Sequence, residues 1–118
     1  MQAYTLTQLN NQYVELDGLI DATTKFLADG VTLNPNPTYI NNATGTLNVK
    51  DSTGAVVTGG GPITMTYVGG SNGNYRGLLT NTFTPPAGGG YTIVIDLTAA
   101  GGFVGHWELP ATVLVRKV

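Results

Sequence analysis

Tyr91-Thr92-Ile93-Val94-Ile95-Asp96-Leu97-Thr98 decides the fold class. Tyr91, Ile93, Ile95 and Leu97 alternate with Thr92, Val94, Asp96 and Thr98, the period of two that sends successive side chains to opposite faces of a β-strand. Gly88-Gly89-Gly90 before it and Ala99-Ala100-Gly101-Gly102 after it punctuate the run. Upstream, Ala43, Gly45, Leu47 and Val49 alternate with Thr44, Thr46, Asn48 and Lys50, and Ile63, Met65 and Tyr67 with Thr64 and Thr66. Val14 and Leu16 open another strand, and Tyr75 to Leu79 forms a further one. Lys25-Phe26-Leu27 and Ala55-Val56-Val57 read as short strands. Phe103–Glu108 and Ala111–Val118 make the last element, with Pro110 as a kink, bulge or edge between them.

Turn chemistry separates these runs. Asp29-Gly30, Asp51-Ser52-Thr53-Gly54 and Asn72-Gly73 are turn formers, the last favoured in type I′ hairpins. Asn34-Pro35-Asn36-Pro37 excludes a central strand. No stretch of ten residues carries a helical period. Short strands between Gly, Pro and Asn turns predict an all-β immunoglobulin-like β-sandwich of about seven short antiparallel strands over residues 14–118. The Asn/Gln-rich stretch 1–13, with Tyr4, Leu6, Leu9 and Tyr13 irregularly spaced, fits neither period and predicts an N-terminal arm.

The 118 residues fit one domain. Charged residues are 10% of the chain, against roughly 25% in an average soluble domain. Net charge of -2 argues against nucleic acid as a partner, and the lack of any run of about 18 apolar residues argues against a membrane span. Met1 to Leu6 has neither the basic start nor the apolar run of a signal peptide. Cys 0 removes disulfides, thiolate zinc sites and cysteine nucleophiles.

Little in the chain suggests catalysis. His106 is the sole histidine, and the only serines, Ser52 and Ser71, lie in turns, so a Ser-His-Asp arrangement is not expected. Asp17, Asp21 and Asp29 lack the spacing of an EF-hand calcium loop. Neither Gly59-Gly60-Gly61 nor Gly88-Gly89-Gly90 leads into the Lys-Ser/Thr of a phosphate loop, and both read as loop material. The expectation is a protein that is not an enzyme, with no catalytic residue, metal or cofactor. Tyr67, Tyr75 and Tyr91 are expected to line the core with their hydroxyls at its rim. Val94 on the outer face, and the consecutive Val113, Leu114 and Val115, suggest cover on the second face by a loop, the arm or another subunit. Tyr4, Leu6, Leu9, Tyr13, Val94, Trp107 and Leu114 are therefore the candidate partner contacts.

The order of motifs adds a further indication. Leu16-Asp17-Gly18-Leu19-Ile20-Asp21, Tyr39-Ile40-Asn41-Asn42-Ala43-Thr44, Val49 to Val56, Tyr67 to Gly77 and Gly90 to Ile95 together resemble small Ig-like proteins encoded among the virion structural genes of tailed bacteriophages. The likeness runs from Leu16 to Val118, and its most specific piece is Gly70-Ser71-Asn72-Gly73-Asn74-Tyr75-Arg76-Gly77. Val31–Pro37 is longer than the pattern and is a candidate for specialised contacts. The resemblance implies a structural protein made in the host cytoplasm and located in the virion. It would be present as a homo-oligomer or in many copies on a lattice, with phage capsid or tail subunits as partners. Capsid decoration, cementing the assembled shell by binding it, is the first role implied; a neck, tail or baseplate adaptor is the second. A carbohydrate- or host-surface-binding module would instead expose Trp107 and neighbouring tyrosines in a row.

Overall fold

The structure is a computed structural model and describes residues 4–99, 102 and 104–116. Seven strands follow in chain order: β1 (Tyr4–Thr7), β2 (Gln12–Leu16), β3 (Thr44–Lys50), β4 (Ile63–Tyr67), β5 (Tyr75–Leu79), β6 (Gly88–Thr98) and β7 (Val104–Leu114). One 3-10 turn, Ala22–Thr24, is the only helical element among the described residues. None of their helices is long and apolar enough to cross a membrane. The chain is all-β.

The strands form one mixed sheet in the order β1-β7-β6-β3-β4-β5-β2. This corrects the purely antiparallel expectation: β1, within the stretch read as an arm, pairs parallel with β7 from Tyr4↔Ala111 to Thr7↔Leu114. Its polar sequence hides a strand because only one face is covered, with Leu6 buried between half-buried Tyr4 and Thr7. β4 turns a corner in the sheet. Gly45↔Met65 to Leu47↔Ile63 join its first half to β3, while Thr66↔Arg76 and Tyr67↔Tyr75 join its second half to β5.

The sheet curls until its outer strands, β1 and β2, come together and nearly close a barrel. Side chains bridge this seam. The Gln12 carboxamide donates to the Thr7 carbonyl (2.7 Å) and accepts from the Thr7 N–H (2.9 Å), as a neighbouring strand would. The Tyr4 hydroxyl donates to the Glu15 carbonyl at 2.8 Å. Its proton is held above the usual phenol range, first by burial and then by Asp17 and Glu15.

One further expectation changes, and one narrows. Gly88-Gly89-Gly90 is the start of β6 rather than loop, with a bulge where the register moves from Gly88↔Val113 to Tyr91↔Ala111. β7 runs unbroken through Pro110, and described pairing with β1 starts one residue later, at Ala111. Among the described residues Pro110 has no partner on β1, so of the kink, bulge or edge expected there it fits the edge position, where a strand tolerates the missing N–H.

Inside the curl, Leu47, Val49, Met65, Tyr75, Leu79, Ile93, Ile95, Leu97 and Val113 form the core. The inner face of β6 is the one its alternation predicts. Buried Tyr75 has both hydrogen-bonding roles filled: it donates to the Ile40 carbonyl (2.6 Å) and accepts from the Ala43 N–H (3.1 Å). The Tyr67 and Tyr91 hydroxyls donate to the Ser71 and Pro86 carbonyls, so these rings have their polar tips at the rim as expected.

Candidate functional site

The molecule measures 51 × 26 × 26 Å, longer than its strands alone require. The excursion between β2 and β3 leaves the barrel at the end where β7 begins, with Leu19, Ile20 and Ile40 beside Val104 and Trp107. Ile20↔Tyr39 and Phe26↔Leu33 are its two bridges, and the Leu27 N–H to Thr32 carbonyl bond (2.9 Å) continues the pairing toward the Asp29-Gly30 tip. All nine residues from Lys25 to Leu33 are exposed. The result is a projecting finger.

Phe26 and Leu33 face each other in a non-hydrogen-bonded pair, the closer of the two antiparallel pairings, so both side chains leave the same side of the finger. They are 43% and 64% exposed, and Val31 beside them is 79% exposed. The finger nevertheless has internal order. The Asp29 carboxylate accepts from the Val31 and Thr32 N–H groups (2.9 Å each) and from the Thr32 hydroxyl (2.6 Å). These bonds pull its pKa down to about 2. What they contribute to stability is present above the ordinary value of 3.8 and is lost as pH falls through about 2.

The segment that supports the finger is Gly70–Gly77. The Leu19 N–H donates to the Gly73 carbonyl, the Gly73 N–H to Asn41 Oδ1, and the Gly18 N–H to Asn74 Oδ1, each at 2.8 Å. Gly73 has φ +71°, and a Cβ there would lie 2.4 Å from the Leu19 carbonyl oxygen. Left-handed strain plus backbone overlap make Gly73→Ala cost about 2–4 kcal/mol. We expect a lower Tm and faster proteolytic nicking within residues 25–34; an unchanged melting curve and cleavage rate would contradict the anchoring role.

At the foot of the finger, shallow clefts meet around Trp107. One of about 200 Å³ is lined by Leu19, Ile40, Leu97, Val104 and Trp107 among others; another of about 300 Å³ by Leu16, Asp17, Lys25 and Trp107. The first is smaller than the roughly 300–1,000 Å³ of ordinary small-molecule sites. Trp107 is half-buried, with its indole laid along β7 over Gly105, where a Cβ would stand 2.2 Å from the ring. The tyrosines do not extend this surface into a row: exposed Tyr13 lies on β2 under the Arg76 guanidinium (4.4 Å), and Tyr39 sits on the excursion.

His106 lies on the outer face of the β6–β7 pair. Its Nδ1 bonds the Asp96 carboxylate across the strands, and Nε2 lies 3.7 Å from Glu108. The Asp96 hydrogen bond, aided by the charges of Asp96 and Glu108, raises its pKa above 6.5. Its contribution to stability is therefore full below 6.5 and is lost as pH rises through the raised value. An NMR titration of the imidazole should give a midpoint above 6.5 that falls in Asp96→Asn; a midpoint unmoved by that change would refute the pairing. Among the described residues no three His, Asp or Glu side chains are grouped to hold a metal ion.

The residues singled out from the sequence are dispersed. Leu6 is buried in the core, and Tyr4 is half-buried beside the seam. Val94 is 6% exposed yet outside the core cluster, standing on the outer face between Asn48 and Glu108. Leu9 and Leu114 are exposed together at the end opposite the finger, where the Gln8 N–H donates to the Leu114 carbonyl. Trp107 alone lies near the finger. Leu33 falls within the Val31–Pro37 loop marked for specialised contacts, whereas Phe26 was not singled out; the signal for its pairing was Asp29-Gly30 flanked by apolar residues on both sides. No family model, no curated protein and no solved structure matches this chain.

Proposed function

We propose that this chain is a bacteriophage virion structural protein that acts by binding, in the role of a capsid decoration protein on the assembled shell. The observation that carries the reading is the finger, an ordered projection whose paired apolar side chains, Phe26 and Leu33, face solvent. Exposed apolar groups on a held scaffold suit docking better than turnover. The low charge leaves little repulsion to oppose packing among many copies. Many weak contacts on a lattice gain by avidity, and binding only the assembled shell stabilises it by mass action.

The resemblance to phage Ig-like proteins supports the same reading. Under it, the curled sheet corresponds to an immunoglobulin-like sandwich whose two halves join at the β4 corner, and the Gly70–Gly77 motif has the task of anchoring the finger. The direct test is sedimentation of the purified protein with purified phage shells lacking it. Saturable co-sedimentation with heads supports decoration. Binding to tails alone would shift the role to an adaptor, and binding to neither would overturn the proposal.

A further inference from the structure

We propose that this chain assembles head to tail with itself, the finger of one copy seating on the opposite end of the next. The two surfaces belong to the chain itself, whether or not the protein decorates a capsid. The head presents exposed Phe26, Val31 and Leu33. Its charged side chains are Asp17, Asp21 and Asp29 against Lys25, a surplus of two negative charges (three minus one).

The tail lies a full strand away, since β7 starts at Val104 beside the head clefts and ends at Leu114, 10 positions or about 33 Å further on. There Leu114 (48% exposed), Val115 and Leu9 form a second apolar patch. It is tied together by the Gln8 N–H to Leu114 carbonyl bond (2.9 Å) and by the exposed Arg116, whose guanidinium donates to the Leu9 carbonyl (3.0 Å). Lys50 and Asp51, on the same end, offset each other and, among the described residues, leave Arg116 as its surplus charge.

Apolar residues at each end can bury one another, and the charges around them are of opposite sign. A head-to-head pair would set two acidic ends together, so charge complementarity selects the heterologous contact. Such a contact leaves a free head and a free tail on every dimer, and growth continues to a ring or a filament.

Sedimentation velocity on the wild-type chain should show species larger than a dimer that grow with concentration and shrink with added salt. A head variant, Phe26→Ser with Leu33→Ser, and a tail variant, Leu114→Ser with Val115→Ser, should each remain monomeric, the contact being weakened by roughly 30-fold or more. All four positions are exposed, and unchanged far-UV circular dichroism would verify folding of both variants. Mixed in equal amounts, the two variants should form a dimer and stop there, because each supplies the end the other lacks. A wild-type chain that stays monomeric up to about 1 mM overturns the proposal. So does a mixture that fails to dimerise, or a tail variant that assembles alone.

Discussion

Truncating Phe83 to alanine should lower the free energy of unfolding by about 3–5 kcal/mol, the range for removing a buried aromatic ring. Phe83 is fully buried although it belongs to the turn between β5 and β6. Its backbone is held on both sides: the Leu9 N–H donates to its carbonyl (2.8 Å), and its own N–H donates to the Thr80 carbonyl (3.1 Å). The neighbouring loop is pressed against this turn, with the Thr84 N–H bonded to the Thr58 carbonyl and no space for a Cβ at Gly59, 2.3 Å from the Thr82 carbonyl oxygen. Surroundings fixed in this way cannot collapse into the space left by the ring, so the cavity term remains. Against a typical total stability of about 5–15 kcal/mol, this one change removes roughly a fifth or more. Denaturant unfolding checks it, and a loss below about 1 kcal/mol would mean that Phe83 does not plug this end of the barrel.

Gly45→Ala should be as damaging, by a different route. Gly45 pairs with Leu97 on one side and Met65 on the other, in the middle of the sheet. A Cβ at this position would come 1.8 Å from the Asp96 carbonyl oxygen and 2.8 Å from the Leu97 Cα, both backbone atoms. A flexible side chain could swing aside; a paired strand cannot. Relief requires β3 and β6 to separate, which breaks ladder hydrogen bonds and opens the core at Leu47 and Ile95. We expect a loss of at least about 3 kcal/mol, seen as a Tm lowered by roughly 10 °C or more, or as failure to fold. A variant that melts like the wild type would contradict the close β3–β6 approach.

Phe83 and Gly45 also mark what the sequence made legible and what it hid. The period-two run Tyr91–Thr98 announced its strand and its buried face because Ile93, Ile95 and Leu97 face the core while Asp96 and Thr98 on the other side are exposed. Phe83, a lone aromatic among Thr and Pro, carries no period, so its burial depends on loops brought together only in the folded chain. β1 was hidden for a similar reason: a four-residue edge strand with one buried side chain has no room for a pattern, and parallel pairing with β7 is a long-range choice. The finger was half visible. Asp29-Gly30 marked a turn, but the exposure of Phe26 and Leu33 follows from their distance beyond the barrel end, and local sequence does not encode distance. Asn72-Gly73 was legible as a turn, while its hold on Leu19 required the fold.

The central claim is that this protein works by docking through exposed apolar groups held on a nearly closed β-barrel. Reconstruction of a purified phage particle carrying the chain, at a resolution that traces strands, tests it most directly. The account predicts copies repeated in register with the lattice, with Phe26 and Leu33 buried against a neighbouring subunit. Copies whose fingers project into solvent with no neighbour would contradict it.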